Sequence, residues 1–382
     1  MAESQYPRSL QLDPFLRERS IFLLGPRQTG KSTLLRSRYP AARYIDLLEN
    51  DTFRSLSARP ERLRELQNGH DLTVIDGVQK LPALLDEVQR LIDTTDARFL
   101  LTGSSARKLK RGQSNLLGGR ALFFNLFPLT SAEAGLDRIA DMLQRGGLPG
   151  IIDSPLSWEL LKSYIGAYLR EEVQAEALTR SIESFTRFLD VAAHFNAEQI
   201  NYTKIGSDAE VPPRTIRDYV RILEDTLILH TLSPFKDRKR KTAATEKVYF
   251  FDVGVANALA LRRELSEGSP EYGKALEQLV FLELKAALSY RRLDSALTYW
   301  RTQTNVEVDF LIDDRIAIEV KGTGKVGSGD TRPLRVLDEE LTLKRRIIVC
   351  LENDRCIIEG NIEVLPIRDF CEELWEGGLI EG

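Results

Sequence analysis

Cysteine, histidine and methionine are scarce in this 382-residue chain, at three, three and two residues. Cys350, Cys356 and Cys371 form no C-x-x-C pair and leave one thiol over in any disulfide scheme. That excludes a disulfide-stapled secreted fold and fits a reducing cytoplasm, with the cysteines read as small buried side chains. His70, His194 and His230 lie far apart in sequence, which argues against a multi-histidine metal site. No run of about 18 apolar residues occurs, and the opening MAESQYPRSLQLDPF has no signal-like apolar stretch. The expectation is a cytoplasmic protein with no membrane partner. A large excess of either charge is also missing: 53 basic residues face 57 acidic ones for a net of −4, so any nucleic-acid surface must be a local patch.

What is present is the composition of a soluble globular chain, 42% hydrophobic and 29% charged, too long for one core. Its most informative segment is IFLLGPRQTGKST at 21–33, an apolar strand, a glycine-containing turn and a helix start. Gly25, Gly30, Lys31 and Ser32 occupy the fixed positions of G-x-x-x-x-G-K-S/T, with Pro26, Arg27, Gln28 and Thr29 filling the loop and Thr33 following it. Inward-pointing backbone N–H groups cradle phosphate oxygens, and glycine permits the backbone angles and close approach this needs. Lys31 reaches the β/γ-phosphates, Ser32 ligates Mg²⁺, and the helix N-terminus adds its positive end. The segment predicts a nucleoside triphosphate site.

Apolar strand candidates follow at 20–24, 43–48, 72–76, 98–103 and 121–127, separated by amphipathic stretches such as 81–93. Short apolar runs alternating with helices predict a parallel sheet covered on both faces, an α/β P-loop NTPase core. The third strand ends in Asp76, placed to hold the Mg²⁺ shell opposite Ser32. The fourth ends in Thr102-Gly103-Ser104-Ser105. Ser104 there is either a sensor of the γ-phosphate or a plain turn and N-cap.

GPRQTGKSTLL, VIDGVQKLPALLDEVQ, FLLTGSSARKL and GGRALFFNLFPLTSAE together resemble a widespread prokaryotic family of AAA-type ATPases with a C-terminal domain of unknown function. The resemblance spans nearly the whole chain. It implies that Lys31, Ser32 and Asp76 bind Mg-ATP, that Gln79 lies near the nucleotide, and that Arg120 faces a phosphate in its own site or across a subunit contact. The competing reading of Arg120 is a surface strand arginine. The family writes Asp-Glu where this chain has Asp76-Gly77, so the carboxylate that would polarise the attacking water is missing and slow hydrolysis is expected. Glu49 or Glu87 could substitute only if folded close.

Three domains are expected: the ATPase at 1–150, a helical winged-helix-like middle at 151–260, and a nuclease-like α/β domain at 261–382. Residues 158–195 are strongly helical, and 203–228 reads as a helix-turn-helix broken at Pro212-Pro213. On its second helix Arg214, Arg217 and Arg221 share one face, opposite Ile216, Val220, Leu223 and Leu227. A basic face on such a helix suits the DNA major groove, although a solvated face is as common. Lys236, Arg238, Lys239, Arg240 and Lys241 follow in a polar loop at 236–247 that could contact phosphates without reading sequence.

VEVDFLIDDRIAIEVKG at 306–322 predicts a hairpin turning at Asp313-Asp314-Arg315. Alternation puts Glu319 and Lys321 on one face, and a three-residue loop sets Asp309 opposite Glu319. Two carboxylates and a lysine on one patch are what Mg²⁺-assisted phosphodiester cleavage requires, and a solvated hairpin face is the plain alternative. ALEQLVFLELKAAL, YWRTQTNVEVDF and IAIEVKG resemble the family's C-terminal domain, which is similar to restriction-endonuclease-like folds. By that resemblance Glu277, Asp309, Glu319 and Lys321 are the catalytic positions, with Asp309 and Glu319 holding metal. The expected function is ATP binding coupled to DNA engagement, in a possible homo-oligomer, with a Mg-dependent nuclease-like domain. The alternative is a non-cleaving ATP-switched regulator that binds DNA or protein.

Overall fold

The computed structural model describes residues 6–104, 117–169, 181–236 and 245–380. They group into two compact units, Met1–Pro128 with Asp225–Ile228, and Leu129–Glu224 with Leu229–Gly382.

The first unit is built on five parallel strands, β1 (Ser20–Leu24), β2 (Arg43–Asp46), β3 (Leu72–Asp76), β4 (Arg98–Gly103) and β5 (Ala121–Asn125). Their order is β2-β3-β4-β1-β5. All five expected strands form. β2 stops at Asp46 because its Oδ1 accepts from the Leu48 N–H at 2.8 Å and turns the chain. β1 is buried along its whole length, as a central parallel strand must be. Helix α1 (Lys31–Arg38) leaves β1 through Gly30, whose φ of 90° is left-handed. Helix α2 (Leu84–Thr94) buries Leu84, Leu85, Val88 and Leu91, the 3.6-residue spacing of an amphipathic face. Because β4 lies between β1 and β3, the polar end of β4 falls between the phosphate loop and Asp76.

The second unit takes in both the expected middle and the expected C-terminal domain, so the breaks expected at 150 and 260 do not coincide with the compact units. Buried polar contacts explain why. The Ser131 N–H and hydroxyl donate to Glu283 at 2.7 and 2.9 Å, and the Gly147 N–H donates to Asp252 at 2.7 Å. Asn196 donates to Gln278 at 2.8 Å, and Gln278 to the Phe250 carbonyl at 2.7 Å. Cutting at 150 or 260 would strand these groups in a dry interior.

Within it, α3 (Ile182–Ala192), β6 (Glu198–Gln199), α4 (Tyr202–Asp208), α5 (Pro213–Asp225), β7 (Leu229–Leu232) and β8 (Lys247–Phe250) follow in sequence. The strands form an antiparallel sheet ordered β6-β8-β7. The Asn201 side chain caps α4, accepting from the Lys204 N–H at 3.0 Å. A Cβ at Gly206 would come within 2.6 Å of the Val211 carbonyl oxygen, so glycine is what lets the turn close onto α4. Leu227, expected on the core face of this helix, lies beyond the end of α5 with a left-handed φ of 61°, and the buried face of α5 also includes Tyr219 and Ile222, which sequence reasoning did not assign to it.

Helices α6 (Val253–Leu259) and α7 (Pro270–Tyr290) lead into a six-stranded mixed sheet. Its strands are β9 (Leu297–Arg301), β10 (Glu307–Ile312), β11 (Ile316–Val320), β12 (Arg345–Cys350), β13 (Cys356–Ile358) and β14 (Ile362–Pro366). The order is β13-β14-β12-β11-β10-β9. β10 and β11 are the expected hairpin, paired as Phe310↔Ile318 and Ile312↔Ile316, which leaves the three-residue turn at 313–315. α8 (Arg332–Asp338) carries the chain to β12, parallel to β11, and α9 (Ile367–Glu376) closes the unit. Cys350 and Cys371 are buried, as expected, and Cys356 is exposed.

Candidate functional sites

The phosphate loop is held from several directions. Lys31 Nζ donates to the Gly25 and Pro26 carbonyls at 2.7 and 2.8 Å, and the Thr29 hydroxyl to Pro26 O at 2.9 Å. The left-handed Gln28 and Gly30 bracket Thr29 and curl the loop, while Arg27, Gln28 and Thr33 are exposed. A Cβ at Gly25 would approach Leu126 O to 2.4 Å, so that position admits only glycine. Arg8, which sequence reasoning passed over, donates to Thr29 O at 2.8 Å and Phe127 O at 2.6 Å. It ties the loop to the chain just past β5. No short-range signal points to it, since its partners lie 21 and 119 residues away.

Asp76 is buried at the C-terminal edge of β3. Its carboxylate accepts from Ser32 Oγ at 2.5 Å, from the Tyr44 hydroxyl at 3.0 Å, and from the Thr102 hydroxyl. Burial, then the Asp76 charge, pushes the Tyr44 hydroxyl well above its ordinary value, so it remains a neutral donor. Thr102 also accepts from the Gly77 N–H at 3.2 Å. The buried Gln79 amide nitrogen lies 3.4 Å from Ser104 Oγ, and its oxygen has no hydrogen-bond partner among the described residues. Ser32, Asp76, Gln79 and Ser104 are thus gathered at one edge; Ser105 lies outside the described residues. A hydroxyl beside a carboxylate is a fitting donor set for Mg²⁺.

Two expectations about this edge need correction. Arg120 does not face a phosphate in its own site. It precedes β5, whose Ala121 pairs with Ser20 at the start of β1, a strand length (roughly 13 Å) from the phosphate loop at the other end. Its guanidinium donates to Asp93 at 2.6 Å instead. Glu87 does not stand in for a missing base, because it is ion-paired to Arg64 on the outer helix layer. Glu49 is an exposed carboxylate on the Asp76 side, two residues past Leu47, whose N–H donates to Asp76 O at 3.0 Å. Gly77 itself has a φ of 79°, a conformation that glycine adopts freely and glutamate does not.

On α5, Arg214, Arg217 and Arg221 are all exposed on one side, with the Arg217 guanidinium 5.0 Å from the Tyr202 ring centroid. Lys236 is exposed; Arg238, Lys239, Arg240 and Lys241 lie outside the described residues. Lys247, expected at the end of the polar loop, is instead the first residue of β8 and is buried.

That lysine is the centre of the third cluster. Its Nζ lies 2.9 Å from Glu277 Oε1, 2.6 Å from Glu307 Oε1 and 3.1 Å from Asp309 Oδ1, with the side chain 3% exposed. Burial alone would lower its pKa, but Glu277 and the other carboxylates outweigh burial and raise it well above the ordinary value. Asp309 Oδ2 accepts from the Val320 N–H at 2.9 Å, and Lys321 Nζ donates to Glu319 Oε1 at 2.7 Å. Glu319 Oε2 is buried with no hydrogen-bond partner among the described residues. Burial, then the Asp309 charge, pushes the Glu319 carboxyl well above its usual range; the same causes raise Glu277. Tyr249 donates to Glu277 at 2.7 Å, and Arg301 pairs with Glu307 at 2.6 Å. Glu277, Asp309, Glu319 and Lys321 are therefore brought together as expected. Sequence reasoning missed Lys247, Tyr249, Arg301 and Glu307. Among the described residues no group of three or more His, Cys, Asp and Glu side chains is arranged to hold a metal.

Three family models match the chain: an AAA domain over residues 17–135, and domains of unknown function (DUF8612 and DUF4143) over 136–266 and 272–370. An uncharacterized protein of Mycobacterium tuberculosis is 26% identical over 91% of this chain and 79% of its own length. One from Methanocaldococcus jannaschii is 25% identical over 92% and 84%. Among solved structures, the Aeropyrum pernix Orc1 protein in complex with DNA aligns with a TM-score of 0.26 at 14% identity, covering 64% of this chain and 86% of its own. A signal-transduction ATPase of Pyrococcus horikoshii with a tetratricopeptide repeat sensor aligns at 0.22 and 14%, covering 76% and 49%. No helix among the described residues is long and apolar enough to cross a membrane. The phosphate loop, the Ser32–Asp76 contact and the match over 17–135 agree: the N-terminal part of this chain is a P-loop ATPase domain of the AAA type.

Proposed function

We propose that this protein couples ATP binding to engagement of DNA and carries a divalent-cation nuclease site in its C-terminal sheet. Ser32 and Asp76 would hold Mg²⁺ with the nucleotide, Lys31 would turn from its loop carbonyls to the phosphates, and Gln79 and Ser104 would meet the γ-phosphate. With Gly77 in place of a base, hydrolysis is slow and the nucleotide acts mainly as a switch. The order helix–strand–helix–helix–strand–strand over 182–250, with its β6-β8-β7 sheet, supports a winged helix, and the exposed arginines of α5 would meet DNA phosphates. A partner subunit facing Arg120 remains part of the reading.

The observation that carries the nuclease reading is Glu319 Oε2, a buried carboxylate oxygen with no hydrogen-bond partner among the described residues, on the hairpin face shared with Asp309. A buried acceptor left open beside a second carboxylate suits a hard cation. Asp309 and Glu319 would hold it, supplying charge stabilisation at the scissile phosphate, while Lys321 steadies Glu319 and Glu277 helps fix the surroundings. The α7–β9–β10–β11–α8–β12 succession supports a restriction-endonuclease-like core. The test is incubation of the chain with supercoiled, linear and branched DNA in Mg²⁺ or Mn²⁺. Cleavage should be lost in Asp309→Ala while ATP binding is kept; cleavage persisting in that variant would refute the assignment.

One observation favours the second reading, a non-cleaving regulator. The ammonium of Lys247 already sits against Asp309 and Glu277, so the cluster is partly neutralised without metal. Absence of cleavage on every substrate, with nucleotide-dependent DNA binding retained, would establish that reading.

A further inference from the structure

We propose that Lys247 is an internal cation that competes with divalent metal for Asp309, so that the cluster accepts metal only when the start of β8 withdraws. This deepens the nuclease reading and rests on it.

The geometry is one of mutual exclusion. Asp309 Oδ1 is 3.1 Å from Lys247 Nζ, and its other oxygen accepts from the Val320 N–H at 2.9 Å. A hard divalent cation approaches a carboxylate oxygen to about 2.1–2.5 Å. A metal at that range on Asp309 would put its charge within a few ångström of the ammonium, and two cations that close in a buried site repel each other strongly. Charge points the same way. Glu277, Glu307, Asp309 and Glu319 face Lys247, Arg301 and Lys321, four carboxyl groups against three cations. With Lys247 gone the imbalance would grow and metal would be the natural replacement.

The lysine also comes from the appropriate place. β10 and β11 provide Asp309 and Glu319, whereas Lys247 opens β8 of the three-stranded sheet, paired with Leu232 of β7 and Gln199 of β6. That sheet follows the arginine-bearing α5 directly. A shift of the start of β8 would therefore move the ammonium away from Asp309, and it would have to carry or break the backbone bonds that tie 233–235 to Tyr299 of β9. A purely structural ion pair would be expected to leave no acceptor open, yet Glu319 Oε2 in the same cluster has no hydrogen-bond partner among the described residues.

The experiment measures Mn²⁺ binding to the full chain without nucleotide, by calorimetry, counting only the binding that Asp309→Asn removes. In wild type this component should be weak, and in Lys247→Met it should tighten roughly tenfold or more. Removing one partner of a buried pair can unfold a protein, so Lys247→Met/Glu277→Gln is made alongside; it deletes the pair together and should show the same gain. Lys247→Arg, which keeps the charge, should behave as wild type. On the wild-type chain, acylation of Lys247 read by mass spectrometry should be low and should rise when Mn²⁺ and duplex DNA are added. Equal Asp309-dependent affinity in wild type and both variants carrying Lys247→Met would overturn the competition while leaving the metal site standing. No such binding in any folded variant would remove the metal site and this inference with it. Unchanged Lys247 acylation with Mn²⁺ bound would likewise overturn it.

Discussion

The Ser32 hydroxyl donates to Asp76 at 2.5 Å across 44 residues of sequence, joining the phosphate loop to the end of β3. The contact holds a hydroxyl and a carboxylate where one Mg²⁺ can touch both. Lys31, meanwhile, spends its ammonium on two loop carbonyls. Replacing it with alanine removes the cation the phosphates would meet. Lys31→Ala should weaken Mg-ATP binding by roughly a hundredfold, about 2.7 kcal/mol, with little change in melting temperature. Calorimetric titration that finds the affinity retained would sink the phosphate-loop assignment.

Gly77 offers an instructive substitution. Sequence comparison with the family invites a glutamate there to restore the missing base, yet the left-handed φ of 79° makes any side chain costly, by about 1–2 kcal/mol. A Cβ would also meet Leu48 Cδ2 at 3.4 Å. Gly77→Glu should therefore lower the melting temperature and leave ATP turnover well short of a hundredfold gain. A full hundredfold rise with unchanged stability would mean that the backbone at 77 relaxes to an extended form.

Much of this was legible from spacing. Five parallel strands, the helix after Gly30 and the hairpin register at Asp309 and Glu319 all follow from local periodicity and turn chemistry, which act over a few residues. What spacing could not convey was assembly across long sequence distance. Lys247 lies 62 residues from Asp309 and reads in sequence as one more lysine after a basic loop. Arg120 sits just before a strand of a parallel sheet, which already places it at the end away from the phosphate loop; what spacing could not show was its partner Asp93, 27 residues upstream. Glu87 likewise had a partner, Arg64, 23 residues upstream.

Arg214, Arg217 and Arg221 make a cleaner test of DNA engagement than the loop that follows. They are exposed, so truncating them leaves the Ile216, Tyr219 and Leu223 core face of α5 untouched. The triple alanine variant should keep its fold and bind unrelated duplexes more weakly. Its salt dependence should fall by about one phosphate contact per arginine removed. Fluorescence anisotropy across a salt series reads this directly. Unchanged affinity and slope would assign the face to solvent or to another protein.

Glu283 gives the second unit a pH dependence of known sign. Burial pushes its carboxyl up to about 7, against the donors Ser131 and Trp375, whose indole N–H approaches to 2.6 Å. A carboxyl whose folded value is raised contributes its full stability below the unfolded value near 4.5 and loses it as pH climbs through the folded one. Over that window, from about 4.5 to about 7, this one proton tilts stability downward by roughly 1.4 kcal/mol per pH unit. Glu283→Gln cannot titrate. It should be less stable than wild type at low pH, because its amide meets a donor where the carboxyl accepted, and the difference should shrink as pH rises. Thermal melts of both proteins across this range read the effect as a narrowing gap in Tm. A gap that stays constant with pH would show that Glu283 is already ionised in the folded protein at the acid end, its three donors outweighing burial.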